Sequence, residues 1–97
     1  MAFKIYRNRK TKHPSISLKS GDKEFWHNLE VTHSPRKNDR YIEVDELNPN
    51  KVGKSYIRKY CRRDKHKFKG FYYSKYKVSK KSEKKIKSYL SHRNKKR

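Results

Sequence analysis

A chain of 97 residues holds one small domain at most. Its 30 Lys/Arg against 9 Asp/Glu give a formal net charge of +21, with 30% hydrophobic residues and a mean hydropathy of −1.50. That balance excludes a chain made for the membrane interior and borders on disorder. Aromatic residues argue for a small core all the same: they form 13% of the chain, as eight Tyr, four Phe and Trp26, and each ring buries a large area.

The charge is unevenly placed. Residues 1–50 carry 10 Lys/Arg and 7 Asp/Glu, net +3, whereas residues 51–97 carry 20 and 2 (Asp64 and Glu83), net +18. Uncompensated charge of this size repels itself in the compact state. A polyanion relieves that repulsion, because each Lys or Arg that meets a phosphate releases condensed counterions. RNA or DNA is therefore the expected partner, with a disordered basic tail as the competing reading. An anionic lipid surface ranks below both, since no broad apolar helical face is available to insert. Cys61 stands alone, so no intrachain disulfide forms. The opening MAFKIYRNRK has no apolar signal region, and a cytoplasmic protein is expected.

In chain order, residues 1–13 form a basic strand or arm in which Phe3, Ile5 and Arg7 alternate against Lys4 and Tyr6. PSISLK (14–19) predicts a strand with Ile16 and Leu18 on one face, and SGDK (20–23) a turn. EFWHNLEVTHS (24–34) carries the clearest strand. Phe25, His27, Leu29, Val31 and His33 share one face; Trp26, Asn28, Glu30, Thr32 and Ser34 share the other. SPRKNDR (34–40) reads as loop, YIEV (41–44) as a short strand and DELNPN (45–50) as turn. SYIRKYCR (55–62) predicts a strand with Tyr56, Arg58 and Tyr60 on one face. RDKHKFKG (63–70) reads as a basic loop and FYYSKYKV (71–78) as extended. Ser79 is placed to cap a helix over residues 80–91, with Ile86, Tyr89 and Leu90 at helical spacing and Glu83 in the first turns. A basic tail follows over residues 91–97, leaving a core of about 12–90. Five or six short strands and one closing helix predict a mainly β fold, a small barrel or sandwich.

The five His (His13, His27, His33, His66 and His92) are scattered and match no zinc spacing, so neither metal nor cofactor is expected. KVGKS (51–55) has the ending of a phosphate loop without its upstream Gly and reads as a turn before a strand. The cluster with chemical content is Thr32, His33 and Ser34, closing the best strand ahead of Pro35, Arg36 and Lys37. Thr and Ser can bond phosphate oxygens, His can exchange a proton near neutral pH, and Arg or Lys can stabilise developing negative charge. Those are the parts for metal-free RNA cleavage, in which the 2′-hydroxyl attacks its own phosphorus. His33 also shares a face with Phe25, Leu29 and Val31, which is equally consistent with a packed structural His. Arg58 between Tyr56 and Tyr60 offers a guanidinium and two rings to a nucleotide, or simply an exposed basic strand face.

The order of these pieces resembles the MazF/PemK-like toxins. HPSISL (13–18) stands where their Arg-Pro strand would be, LEVTHS (29–34) matches their Thr-Ser strand, SYIRK (55–59) a later strand, and KVSKKSEKKIKSYL (77–90) the capped helix. The resemblance implies an SH3-like barrel and a metal-independent endoribonuclease acting on single-stranded RNA. It also implies a homodimer with RNA in the interface groove and an acidic protein antitoxin as inhibitor. The family's Arg before Pro is His13 here, and His33 follows the matched Thr32. The candidate catalytic set is Thr32 for phosphate contact, His33 or His13 for proton transfer, and Arg36 or Arg58 for charge stabilisation. The candidate nucleic-acid contacts are Lys54, Tyr56, Arg58, Arg62, Arg63, Lys65, Lys67, Lys69, Tyr73 and Lys75. The alternative is a non-catalytic basic RNA- or DNA-binding module from a phage or mobile element, docking through residues 51–97.

Overall fold

Alternation of aliphatic residues decides the sheet. The computed structural model describes residues 3–36 and 40–95. These form β1 (Lys4–Asn8), β2 (Pro14–Ser17), β3 (Phe25–Thr32), β4 (Tyr41–Asp45), β5 (Lys54–Lys65), a single 3-10 turn (His66–Phe68), β6 (Lys69–Tyr72) and α1 (Lys80–Lys95). All strands belong to one antiparallel sheet of order β4-β5-β3-β2-β1-β6. The expected mainly β fold with a C-terminal helix is what the chain adopts. The barrel is not closed: β4 and β6 are the sheet's two edges and do not pair.

Two rows of side chains cross the sheet on one face. Ile5, Ile16, Leu29 and Cys61 are successive cross-strand partners, and so are Val31, Ile57 and Ile42. With Val44, Leu47 and Ile86 of α1, the aliphatic members of these rows make the buried core. Each such side chain contributes about 1.5–3 kcal/mol on leaving water. Ile5 is fully buried, so the core begins earlier in the chain than about residue 12, and the first segment is a strand rather than an arm. Between the two rows the β3–β5 register shifts: Leu29 faces Cys61, but Val31 faces Ile57. The extra β5 residues bulge, which bends that strand and leaves Tyr60 exposed.

β5 is longer than expected because Arg63 and Lys65 pair with His27 and Phe25; that pairing turns much of the predicted basic loop into strand. Only Phe71 and Tyr72 of the predicted extended segment lie in β6. Tyr73 and Tyr76 instead stack at 4.6 Å and pack against the core. The helix starts as predicted: the Ser79 hydroxyl accepts from the Ser82 N–H at 3.1 Å. It runs to Lys95, past the predicted end at residue 91. Buried Ser82 in turn accepts from the Asp45 N–H at 3.0 Å, and Lys85 Nζ donates to the Glu43 carbonyl, tying α1 to β4. The predicted loop residues 37–39 and the end of the basic tail, Lys96 and Arg97, lie outside the described residues. No helix among the described residues is long and apolar enough to cross a membrane.

The second face of the sheet is also buried where the Asn8 side chain of β1 reaches Asp64 of β5. Asn8 and Asn28 are fully buried and Asp64 is 3% exposed. Asn8 Nδ2 donates to Asp64 Oδ2 at 2.9 Å and Asn28 Nδ2 to the same oxygen at 3.1 Å. Arg62 adds Nε and Nη2 bonds at 3.1 and 3.0 Å. Burial alone pushes the Asp64 carboxyl up; the bonds from Arg62, Asn28 and Asn8 outweigh it and hold the group below its ordinary value. Asn8 Oδ1 accepts from the N–H groups of Lys10 and Thr11, so one side chain shapes the β1–β2 turn and anchors it to β5.

Candidate nucleic-acid interface and strand-end site

β3 runs out at Thr32, and this end of the sheet collects the predicted catalytic residues unevenly. Thr32 stands opposite Tyr56, which stands opposite Glu43, so its side chain belongs to the face away from the aliphatic core. Its Oγ1 accepts from the Ser34 N–H at 3.1 Å, which leaves the hydroxyl proton free to donate. His13 precedes β2, just past the last β2–β3 pair, Ser15 with Glu30, at the end of the sheet where Thr32 lies. No hydrogen bond joins the two.

His33 is held by a residue that sequence reasoning left among turn acids. Its Nε2 lies 2.9 and 2.8 Å from Glu46 Oε1 and Oε2. The Glu46 side chain is 5% exposed and that of His33 51%. Buried Ser55 donates to Glu46 Oε2 at 2.5 Å and lies 3.4 Å from His33 Nε2. Burial alone raises the Glu46 carboxyl; the bonds from Ser55 and His33 outweigh it and keep it below its ordinary value. A carboxylate only accepts, so Nε2 is the nitrogen that carries a proton towards Glu46, and Nδ1 is the nitrogen turned away from it. The packed-His reading of His33 is thus half met: the ring is anchored, yet exposed. The signal for Glu46 was the scarcity of acids, nine in the chain, in a turn preceding the strand that begins at Lys54.

Arg36 is exposed, with its backbone N–H on the Tyr41 hydroxyl at 3.4 Å. Arg58 lies opposite Tyr41, its guanidinium 5.9 Å from the Tyr60 ring. Tyr56 meets Tyr41 edge to face at 6.4 Å. Lys54 is paired with Asp45 at 3.1 Å, and that carboxylate raises the Lys54 pKa.

The other predicted contacts divide into engaged and open cations. Arg62 is committed to Asp64, and Tyr73 to the core. Arg63, Lys65, Lys67 and Lys75 are exposed, and none of them meets a carboxylate among the described residues. Lys69 Nζ sits 4.4 Å from the Tyr6 ring centre and 6.0 Å from that of Trp26. Lys10 and Lys67 flank Phe68 at 5.6 and 5.3 Å. The Arg9 N–H bonds the Phe68 carbonyl at 2.8 Å, and a Cβ on Gly70 would meet the Arg7 carbonyl at 2.7 Å. β1 and the turn after it therefore bring Arg7, Arg9 and Lys10, from the nearly neutral half of the sequence, beside the strongly basic half. Cations meet rings here at Lys69 with Tyr6, whose ring packs on Tyr72, and at Lys10 and Lys67 with Phe68, pairings that suit a single strand of nucleic acid. Sequence reasoning missed the β1 cations because the β1–β6 pairing is long-range.

An open cleft of about 610 Å³ lies at the opposite end of β3, between the β2–β3 turn and the 3-10 turn. Comparison with known protein families, characterised proteins and solved structures finds no match.

Proposed function

We propose that this protein binds single-stranded RNA and cleaves it without a metal ion, as the resemblance to toxin ribonucleases implies. The observation that carries the reading is the His33 imidazole just past the end of β3, exposed yet fixed by a buried carboxylate, next in sequence to Thr32 and at the end of the sheet that holds His13. In this reading His33 Nδ1 takes the proton from a 2′-hydroxyl as its oxygen attacks the adjacent phosphorus. The Thr32 hydroxyl donates to a phosphate oxygen, and Arg36 or Arg58 offsets the developing charge. The bond from phosphorus to the 5′-oxygen breaks, and protonated His13 supplies that oxygen with its proton. The products are a 2′,3′-cyclic phosphate and a 5′-hydroxyl. A homodimer and an acidic protein inhibitor belong to the same proposal.

The test is incubation in EDTA with a labelled single-stranded RNA and its all-deoxy counterpart. Cyclic-phosphate fragments from the RNA alone support the reading, and an intact RNA bound as tightly as the DNA overturns cleavage. That second outcome fits a non-catalytic binding module, which the cation-and-ring surface of β1, the 3-10 turn and β6 favours.

A further inference from the structure

We infer that the cleft at the N-terminal end of β3 holds one nucleotide unit of the bound chain, with its phosphate on Lys69 and His66 and its base against Phe25 and Leu18. The inference rests on the nucleic-acid reading above and gives that reading a second, separate point of contact.

The cleft joins three stretches distant in sequence: 17–22, 25–27 and the 3-10 turn with Lys69. One wall is apolar. Leu18 and Phe25 line it half exposed, while Trp26 is buried beneath, its Nε1 donating to Ser17 Oγ at 3.0 Å. Aromatic and aliphatic surface of this kind takes the face of a base regardless of sequence. The same lining holds Lys69, Lys19 and His66. The rings of Tyr6 and Trp26 position the Lys69 ammonium without neutralising its charge, and His66 is exposed beside it.

Asp22 is the carboxylate of the cleft, and it is already occupied. Its Oδ1 accepts from the N–H groups of Glu24 and Phe25 at 2.9 and 3.1 Å. Its Oδ2 lies 2.9 Å from His27 Nε2. These bonds orient the His27 ring and leave Nδ1 as its open nitrogen. Asp22 keeps its charge, but its oxygens are turned to His27 and the backbone, so the contacts offered to an incoming phosphate come from Lys69 and His66, with Lys19 also in the lining. At about 3.3 Å per residue, the five-residue step along β3 from His27 to Thr32 separates the cleft from the strand end by about 17 Å. One RNA chain several nucleotides long can reach both.

The experiment titrates uridine 5′-monophosphate, uridine and inorganic phosphate separately into the whole protein, following the five histidine ring signals by NMR. The nucleotide is expected to move the His27 and His66 signals and leave His92 still. Phosphate or uridine alone should bind at least about tenfold more weakly, since each keeps only one class of contact. Lys69→Gln should weaken the nucleotide by about tenfold and Lys69→Arg largely restore it, with a dispersed amide spectrum confirming that both variants fold. Phosphate binding as tightly as the nucleotide overturns the inference. So do unmoved His27 and His66 signals in a sample where a single-stranded oligonucleotide still binds. Failure of the oligonucleotide to bind overturns the nucleic-acid reading itself.

Discussion

Both ends of β3 carry a histidine bonded to a carboxylate, and the two pairs are built in opposite ways. At the C-terminal end the acid is the buried member, Glu46 at 5% against His33 at 51%. At the N-terminal end the two members are alike, His27 at 24% and Asp22 at 26%. Backbone N–H groups satisfy one Asp22 oxygen, whereas Glu46 leans chiefly on the side chains of Ser55 and His33, with a lesser backbone bond from Asn48. A carboxylate withdrawn from water depends on its partners, so Glu46 is tolerable because Ser55 and His33 serve it, while the more exposed Asp22 also has water to solvate it. The first pair is an exposed ring on a buried support; the second is a positioned ring lining a cleft. Under the proposed function, the difference assigns chemistry to the first end and holding to the second.

The largest expected effect follows from that division. His33→Gln, which keeps a bond to Glu46 and removes the base, should lower metal-free cleavage by about 10²–10⁴-fold. His27→Gln should appear in KM, and His92→Gln, on an exposed position of α1, in neither constant. Steady-state kinetics on one RNA substrate read all three. If His27→Gln removes kcat and His33→Gln does not, the roles of the two ends are exchanged.

Stability sharpens the same contrast. Glu46→Ala strips the partner from buried Ser55 and should cost about 2 kcal/mol, read as a lower urea midpoint. Asp22→Ala, at an exposed turn, should cost less. Next comes acid. Glu46 and Asp64 are both held below their ordinary values when folded, and the His27 bond, followed by those from Phe25 and Glu24, takes Asp22 from 3.8 to about 2. A lowered folded pKa contributes stability above the unfolded value and loses it as pH falls through the folded one. The thermal midpoint should therefore drop as pH is taken from about 4 towards 2, and the Glu46→Ala variant should show a shallower drop. A midpoint flat over that range contradicts the account of these carboxylates. The smallest effect is on salt. Replacing Lys10 and Lys67 by Gln should each reduce the slope of log affinity against log salt by about 0.7 for a single strand, with no one position decisive.

Local pattern made part of this molecule legible. Leu29 and Val31 at period two, Ser79 ahead of a helical spacing, and the Ser20–Lys23 turn all act within a few residues, and the structure has each of them. The second buried face was hidden, because Trp26, Asn28 and Asp64 look like solvent-side residues until β1 delivers Asn8, 56 positions from Asp64, to the same point. The β3–β5 register shift was hidden too, since nothing in either strand alone specifies a bulge. Thr32 and His33 were visible as chemistry-bearing types at a strand end. Glu46, 13 positions from His33, was not, and neither was the His27–Asp22 pair across its turn. A basic half-chain suggested a basic half-molecule; the fold instead brings Arg9 and Lys10 against Phe68 within that half.

The most direct test of catalysis at the end of β3 is the single-turnover rate of RNA cleavage in EDTA for the wild type, Thr32→Ala and His33→Gln, with RNA affinity measured in the same samples. Cleavage lost in both variants at unchanged affinity is the predicted result. Cleavage retained in both, or an RNA left whole by the wild type, contradicts it.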